Sequence, residues 1–227
     1  MPDDPDDAVV IRLPEPGAER PRVRMSGQER RAQLIQVGRK VFAERGYEAA
    51  SVEEIAERAK VSKPVVYEHF GGKEGLYAVI VDHQVQLLLA RITRALEANH
   101  PRAALEQAAY AFLSYIEEEQ DGFRILVRDA PVAGVQGSLP SVIGDIAASV
   151  EGLLAEEFKA RGYSTKIAPL MARALVGMVA LTGEWWLDAG KPSREAVAEH
   201  LVNLAWNGLK DLDPDPVKTA RARRKNR

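Results

Sequence analysis

Apolar residues recur at three- and four-residue spacings along most of the chain from residue 26 onward. That is the period of helices with one buried face, and no strand-like alternation competes with it. Ser26 followed by Glu29 forms a capping box that opens a helix burying Leu34, Ile35, Val37, Val41 and Phe42 and ending near Gly46. A second capping box, Ser51 with Glu54, starts a short helix to Ala59 that buries Val52, Ile55, Ala56 and Ala59. Ser62 can cap a third helix whose first turn holds Pro64, where the missing N–H costs nothing. Only Lys60 and Val61 remain for the turn between them. Glycine usually helps the chain turn here; a left-handed backbone at Lys60 would cost roughly 1 kcal/mol, so either local strain or a slightly different turn is expected.

A long helix from about Lys73 to Asn99, with Leu76, Ile80, Leu87 and Leu88 inward, stops at His100 and Pro101. Later helical segments are expected near 102–119, 121–129, 138–160, 165–189 and 193–210. The reading is an all-α chain: a disordered tail over 1–25, a three-helix head over 26–72, a larger helical domain over 73–212 and a basic tail over 213–227.

Two short helices joined by a tight turn form the unit whose second helix enters the DNA major groove. Within that helix the residues sort by what DNA can use. Lys63 can reach guanine O6 or N7, while Pro64 and Val65 offer apolar surface to a thymine methyl group. Ser62, Tyr67 and His69 each give a single donor suited to phosphate oxygens. Val66 and Phe70 face the preceding helices as core. Lys73 follows Gly71 and Gly72 at the start of the long helix, where free N–H groups and the helix dipole add to its ammonium to attract phosphate. Ser51 has the same position on the shorter helix.

These features resemble the DNA-binding domain of the tetracycline-repressor (TetR) family of bacterial regulators. A first helix with Phe42 and Gly46, then S-V-x-x-I-A, then Y-E-H-F-G-G-K-E-G-L occur in the family's order between Arg30 and Leu76. D-G-F-R-I-L near residue 121 and W-W-L-D-A-G-K-P near residue 185 are similar to actinobacterial-type members. The resemblance implies a homodimer with two DNA-binding heads and a C-terminal domain that dimerises and encloses an inducer pocket.

Charge along the chain agrees with DNA as the partner, although the formal net charge is −2. From Arg20 to Arg45 there are eight Arg or Lys against two Glu, and from Lys218 to Arg227 six against none. Arg22, Arg24, Arg30 and Arg31 are placed for an arm that touches phosphates or the minor groove. The last run reads as a solvated tail. Cysteine is absent from the sequence, which excludes disulfides, zinc fingers and thiol catalysis. Residues 1–19 hold six acidic residues, one Arg and no apolar run of signal-peptide length, so a cytoplasmic location is expected. The most apolar segment, Ile167 to Leu187, is interrupted by Arg173 and Glu184, which argues against a membrane span.

The helix expected over 165–189 carries small residues at Ala172, Ala174, Gly177, Ala180 and Gly183, and bulk at Leu175, Met178, Val179, Trp185 and Trp186. With Val197, Leu201, Leu204 and Leu209 on the final helix, it suggests a four-helix homodimer interface. Phe123, Met178, Trp185 and Tyr115 are the preferred lining of an apolar pocket, from a set that also includes Tyr110, Phe112, Met171 and Trp186. Few charges in that set imply a small lipophilic effector, with Arg124, Arg128 or Arg173 available for an anionic headgroup.

Enzyme chemistry has no support in the sequence. The four histidines lack metal-ligand spacing, and there is no nucleophile elbow, phosphate loop or dinucleotide fingerprint. Neither a metal nor a cofactor is expected. The function read from the sequence is a ligand-responsive, sequence-specific DNA-binding regulator, a repressor released from a pseudo-palindromic operator on double-stranded DNA by its effector. The alternative is a helical protein-interaction adaptor that no longer binds specific DNA.

Overall fold

The computed structural model describes residues 25–98, 100–128, 139–210 and 213. Apart from Met25 and Asp213, the two expected tails lie outside the described residues, as do Arg22 and Arg24. The described residues form α1 (Gly27–Ala49), α2 (Val52–Arg58), α3 (Lys63–Phe70), α4 (Lys73–Leu96), α5 (Pro101–Glu118), α6 (Gln120–Arg128), α7 (Leu139–Ala160), α8 (Ala168–Ala189) and α9 (Arg194–Lys210). A 3-10 turn, Thr165–Ile167, leads into α8.

The start of α1 is the expected capping box: Ser26 Oγ accepts from Glu29 N–H at 3.2 Å, and Glu29 accepts from Ser26 N–H at 2.7 Å. Gly46, at φ 77°, breaks the helical backbone near the predicted stop, yet helical structure resumes to Ala49. Only half of the second capping box forms. Ser51 Oγ accepts from Glu54 N–H at 3.1 Å, but the Glu54 carboxylate turns to Arg58 at 2.6 Å. Ser62 stands at the N-cap of α3 without a side-chain cap hydrogen bond, so its hydroxyl is not used to start that helix. Lys60 has φ 56°, so of the two expected outcomes the turn takes the left-handed, strained one. Helix α4 ends at Leu96 with Glu97 as its C-cap, before the expected stop at His100, and His100 caps only the start of α5, its ring nitrogen accepting from Arg102 N–H at 3.2 Å.

Helix α1 rests on α4 and α6, α4 runs along α5, α5 along α9, and α7 along α8. A continuous core joins Leu34, Val41 and Phe42 of α1 to Ile55, Val66, Leu76 and Ile80, and runs on through Leu88, Leu113 and Phe123 to Leu201. Burial of such side chains contributes about 1.5 to 3 kcal/mol each. Leu87, expected inside, is half-buried, whereas Gln84 one turn away is buried.

Candidate DNA interface and ligand cavity

The head fixes α3 through its buried side. Val66 is fully buried and Phe70 packs half-buried under the Arg31 guanidinium, 4.5 Å from the ring centre. Gly71 ends α3 with φ 73°, a left-handed position suited to glycine. A Cβ at Gly75 would lie 1.9 Å from the Phe70 carbonyl oxygen, so this glycine lets α4 start directly beneath α3.

The opposite side of α3 is open. Ser62, Lys63, Pro64 and Tyr67 are exposed together, His69 is half-buried, and Val65 shares its surface between solvent and the head core. Lys63 makes an ion pair with Glu53 of α2, and this contact is the main cause that lowers the Glu53 carboxyl below its usual range. Ser51 is half-buried at the N-cap of α2. Arg30 donates to Gln33 Oε1 at 2.7 Å, and Gln33 in turn donates to the Ala59 carbonyl at 3.2 Å, tying α1 to the turn.

Lys73 has a task the sequence did not reveal. Its ammonium donates to the carbonyls of Tyr47 at 2.9 Å and Glu48 at 3.4 Å and stands 4.4 Å from the Tyr47 ring centre. The lysine therefore clamps the end of α1 to the start of α4, and a phosphate at this helix start meets an ammonium already held by carbonyls. A lysine and a carbonyl twenty-five residues upstream share no local pattern, so only the fold reveals the clamp.

A cavity of about 380 Å³ lies in the larger domain. Its walls are Leu88, Ile92 and Leu96 of α4, Leu105, Ala108 and Phe112 of α5, Val142, Ile146 and Val150 of α7, Leu175, Val176 and Val179 of α8, and Trp206 and Leu209 of α9. The size and the predominance of hydrocarbon suit a small apolar molecule. Glu156, Glu157, Arg161 and Tyr163 supply polar groups along the wall.

None of the four preferred lining residues borders this cavity. Tyr115 and Phe123 are fully buried in the core beside it, their rings 6.2 Å apart in an edge arrangement. Met178 packs half-buried against that core, and Trp185 is 57% exposed. Of the wider set only Phe112 lines the space, whose walls come largely from aliphatic residues of α4, α5, α7 and α8. Arg124 pairs with Asp188 at 3.1 Å, Arg128 donates to the carbonyls of Ala43 and Glu44, and Arg173 donates to the Pro169 carbonyl, so all three are elsewhere.

The small residues of α8 serve two faces. Ala172, Ala180 and Gly183 are buried within the chain's own fold, while Leu170, Ala174, Leu181 and Trp185 form an exposed apolar stripe at helical spacing. On α9, Val197 and Leu201 are also buried and Leu209 borders the cavity, which leaves Leu204, 63% exposed, as the outward leucine. Thr165–Ala189 is long and apolar enough to cross a membrane by length and composition alone. Its Ala168, Ala172, Ala180, Gly183 and Trp186 are nevertheless buried in the domain. Among the described residues no cluster of three or more His, Asp or Glu could hold a metal ion.

Residues 34–80 match the model of bacterial regulatory proteins of the tetR family, and residues 101–208 match a tetracyclin repressor-like C-terminal domain. The HTH-type transcriptional activator FasR of Mycolicibacterium smegmatis is 32% identical over 199 residues, which cover 85% of this chain and 89% of that protein. An HTH-type transcriptional repressor of Mycobacterium tuberculosis is 34% identical over 93 residues, 41% of this chain and 47% of the other. The crystal structure of a TetR-like transcriptional regulator from Rhodococcus sp. RHA1 superposes with a TM-score of 0.66 at 25% identity, covering 83% of this chain and all of that one.

Proposed function

This chain belongs to the tetR family of bacterial regulators, and from that premise we propose a dimeric repressor released from a pseudo-palindromic operator by a small lipophilic effector. The observation that carries the proposal is the double role of α4. Its N-terminal half packs beneath the head through Leu76, Tyr77 and Ile80, and its C-terminal half lines the cavity through Leu88, Ile92 and Leu96. A molecule that enters the cavity therefore bears on the helix that carries the head.

In the proposed mechanism, Lys63, Pro64 and Val65 contact base edges, and Ser51, Ser62, Tyr67, His69, Lys73 and Arg30 contact the phosphate backbone. Two protomers join through the α8 stripe and Leu204, placing two α3 helices in successive major grooves. Effector binding favours a dimer whose α4 helices hold the heads at the wrong separation, and loss of simultaneous contact releases the operator. Moving such an equilibrium from 1:99 to 99:1 takes about 5.5 kcal/mol of differential affinity, within reach of a buried apolar ligand. The protein works in the cytoplasm, beside the chromosome.

A second reading is activation by the same contacts. A relative that this chain covers over most of its length carries the name of an activator, and the sign depends on where an operator lies relative to a promoter. Selection from a random duplex pool at moderate salt tests the DNA function. Enrichment of a pseudo-palindrome supports it; a folded protein that enriches nothing favours the adaptor.

A further inference from the structure

Glu53 stands where a DNA-binding surface should avoid a carboxylate. It lies in the first turn of α2, 59% exposed, and contacts the ammonium of Lys63, 53% exposed, in the first turn of α3. A negative charge there repels phosphates and weakens binding to every duplex. Two other acidic residues of the head, Glu44 and Glu54, are turned toward Arg58. Glu53 is instead coupled to the side chain proposed as a base reader.

The chemistry of the major groove gives this pair a use. Across a G·C pair the groove shows guanine N7, guanine O6 and then the cytosine N4 amine, that is acceptor, acceptor, donor. Across an A·T pair it shows adenine N7, the adenine N6 amine and then thymine O4, so the third group is an acceptor. A lysine alone takes a purine N7 in either case and discriminates weakly. We propose that Glu53 and Lys63 act as one composite reader of a G·C pair, with Lys63 donating to guanine and Glu53 accepting from the N4 amine of its cytosine. Thymine at that position turns O4 toward the carboxylate and is rejected by repulsion. The contact already present between the two side chains sets carboxylate and ammonium on neighbouring groups of one base pair and leaves the reader neutral, so it gains little on non-specific DNA.

This inference rests on the reading of α3 as the recognition helix. Its test uses the full chain and an operator from the random-pool selection. Equilibrium affinity is measured for the operator, for the same duplex with N4-methylcytosine in place of each cytosine in turn, and for A·T replacements. N4-methylation replaces the groove-facing hydrogen and leaves guanine untouched. For the parent, one cytosine per half-site should show a loss of about tenfold on methylation. In Glu53→Ala that ratio should fall to near one, and selection should return both G·C and A·T at the position. The ratio is the readout, because removing a carboxylate from the DNA face strengthens binding to all sequences. A Glu53→Ala protein with parental ratios at every cytosine overturns the composite reader and leaves the regulator reading intact. Failure of the parent to enrich any sequence overturns both.

Discussion

The Tyr115 hydroxyl donates a 2.8 Å hydrogen bond to the side-chain oxygen of Gln84, deep in the core where α4, α5 and α6 meet. Gln84 is the buried polar residue of that core, and the α6 backbone presses close to it: a Cβ at Gly122 would lie 2.2 Å from Gln84 Oε1. Tyr115→Phe leaves the oxygen without this donor and should lower stability by about 1 to 3 kcal/mol, read from the midpoint of urea unfolding.

The same tyrosine makes stability sensitive to alkali. Burial, followed by the nearby Glu119 charge, raises its pKa well above the ordinary tyrosine value, against smaller opposing effects of Arg91 and Arg39. A folded-state pKa above the unfolded one means that the contribution is complete below pH about 10 and falls as pH rises through and beyond it. Unfolding followed between neutral and alkaline pH should therefore show a steeper stability loss in the parent than in Tyr115→Phe. Tyr47, raised mainly by burial and then by Glu74 and Glu48, leaves part of the slope in the variant.

Gly183 lets α8 reach α5. A Cβ there would meet Phe112 Cε1 at 2.4 Å and Ile116 Cδ1 at 2.6 Å. Gly183→Ala should cost about 1 to 3 kcal/mol by overpacking, and because Phe112 borders the cavity it should also change the uptake of a solvatochromic apolar dye. Unchanged unfolding and dye titration would mean that the two helices separate without penalty.

The two lysines of the reading head should separate by phenotype. Lys63→Ala is expected to relax preference at one base pair per half-site, by about 1 to 3 kcal/mol, with little effect elsewhere. Lys73→Ala should weaken binding to all sequences and make the salt dependence shallower, and it should also lower head stability because the clamp on Tyr47 and Glu48 is lost. Binding isotherms at several salt concentrations, paired with thermal unfolding, distinguish the two.

Helix starts in the head were legible because they follow from local chemistry: Ser26 with Glu29, Ser51 and Pro64 all act within a few residues, whereas α1 runs past Gly46 to Ala49 and α4 stops at Leu96. The candidate DNA face was legible for the same reason, since one short helix holds Ser62, Lys63, Pro64 and Tyr67 on its open side. The cavity was not. Aromatic residues such as Tyr115, Phe123 and Trp185 were preferred for their bulk, but which side of a helix meets a cavity depends on how α7 is laid across α4 and α8. Aliphatic residues of ordinary core type, Ile92, Val142, Val176 and Val179, line it instead, and no sequence signal separates them from core. Glu53 escaped notice because its partner, ten residues on, belongs to another helix.

Trp185 and Leu181 are large apolar groups left open one turn apart on the α8 stripe. Trp185→Glu with Leu181→Glu should place four carboxylates in a symmetric dimer interface and yield a folded monomer by sedimentation, with operator affinity reduced at least tenfold as the second head is lost. A variant that remains dimeric would place the interface elsewhere.

Two heads that engage one face of the duplex together make affinity depend on the spacing between half-sites. Affinity should be compared between the selected operator and one lengthened at its centre by roughly five base pairs, about half a helical turn, which moves one half-site to the opposite face. The expected result is a loss of at least about a hundredfold, with most of the affinity restored when the insertion reaches roughly ten base pairs. Equal affinity for all three duplexes would contradict simultaneous binding by a two-fold dimer.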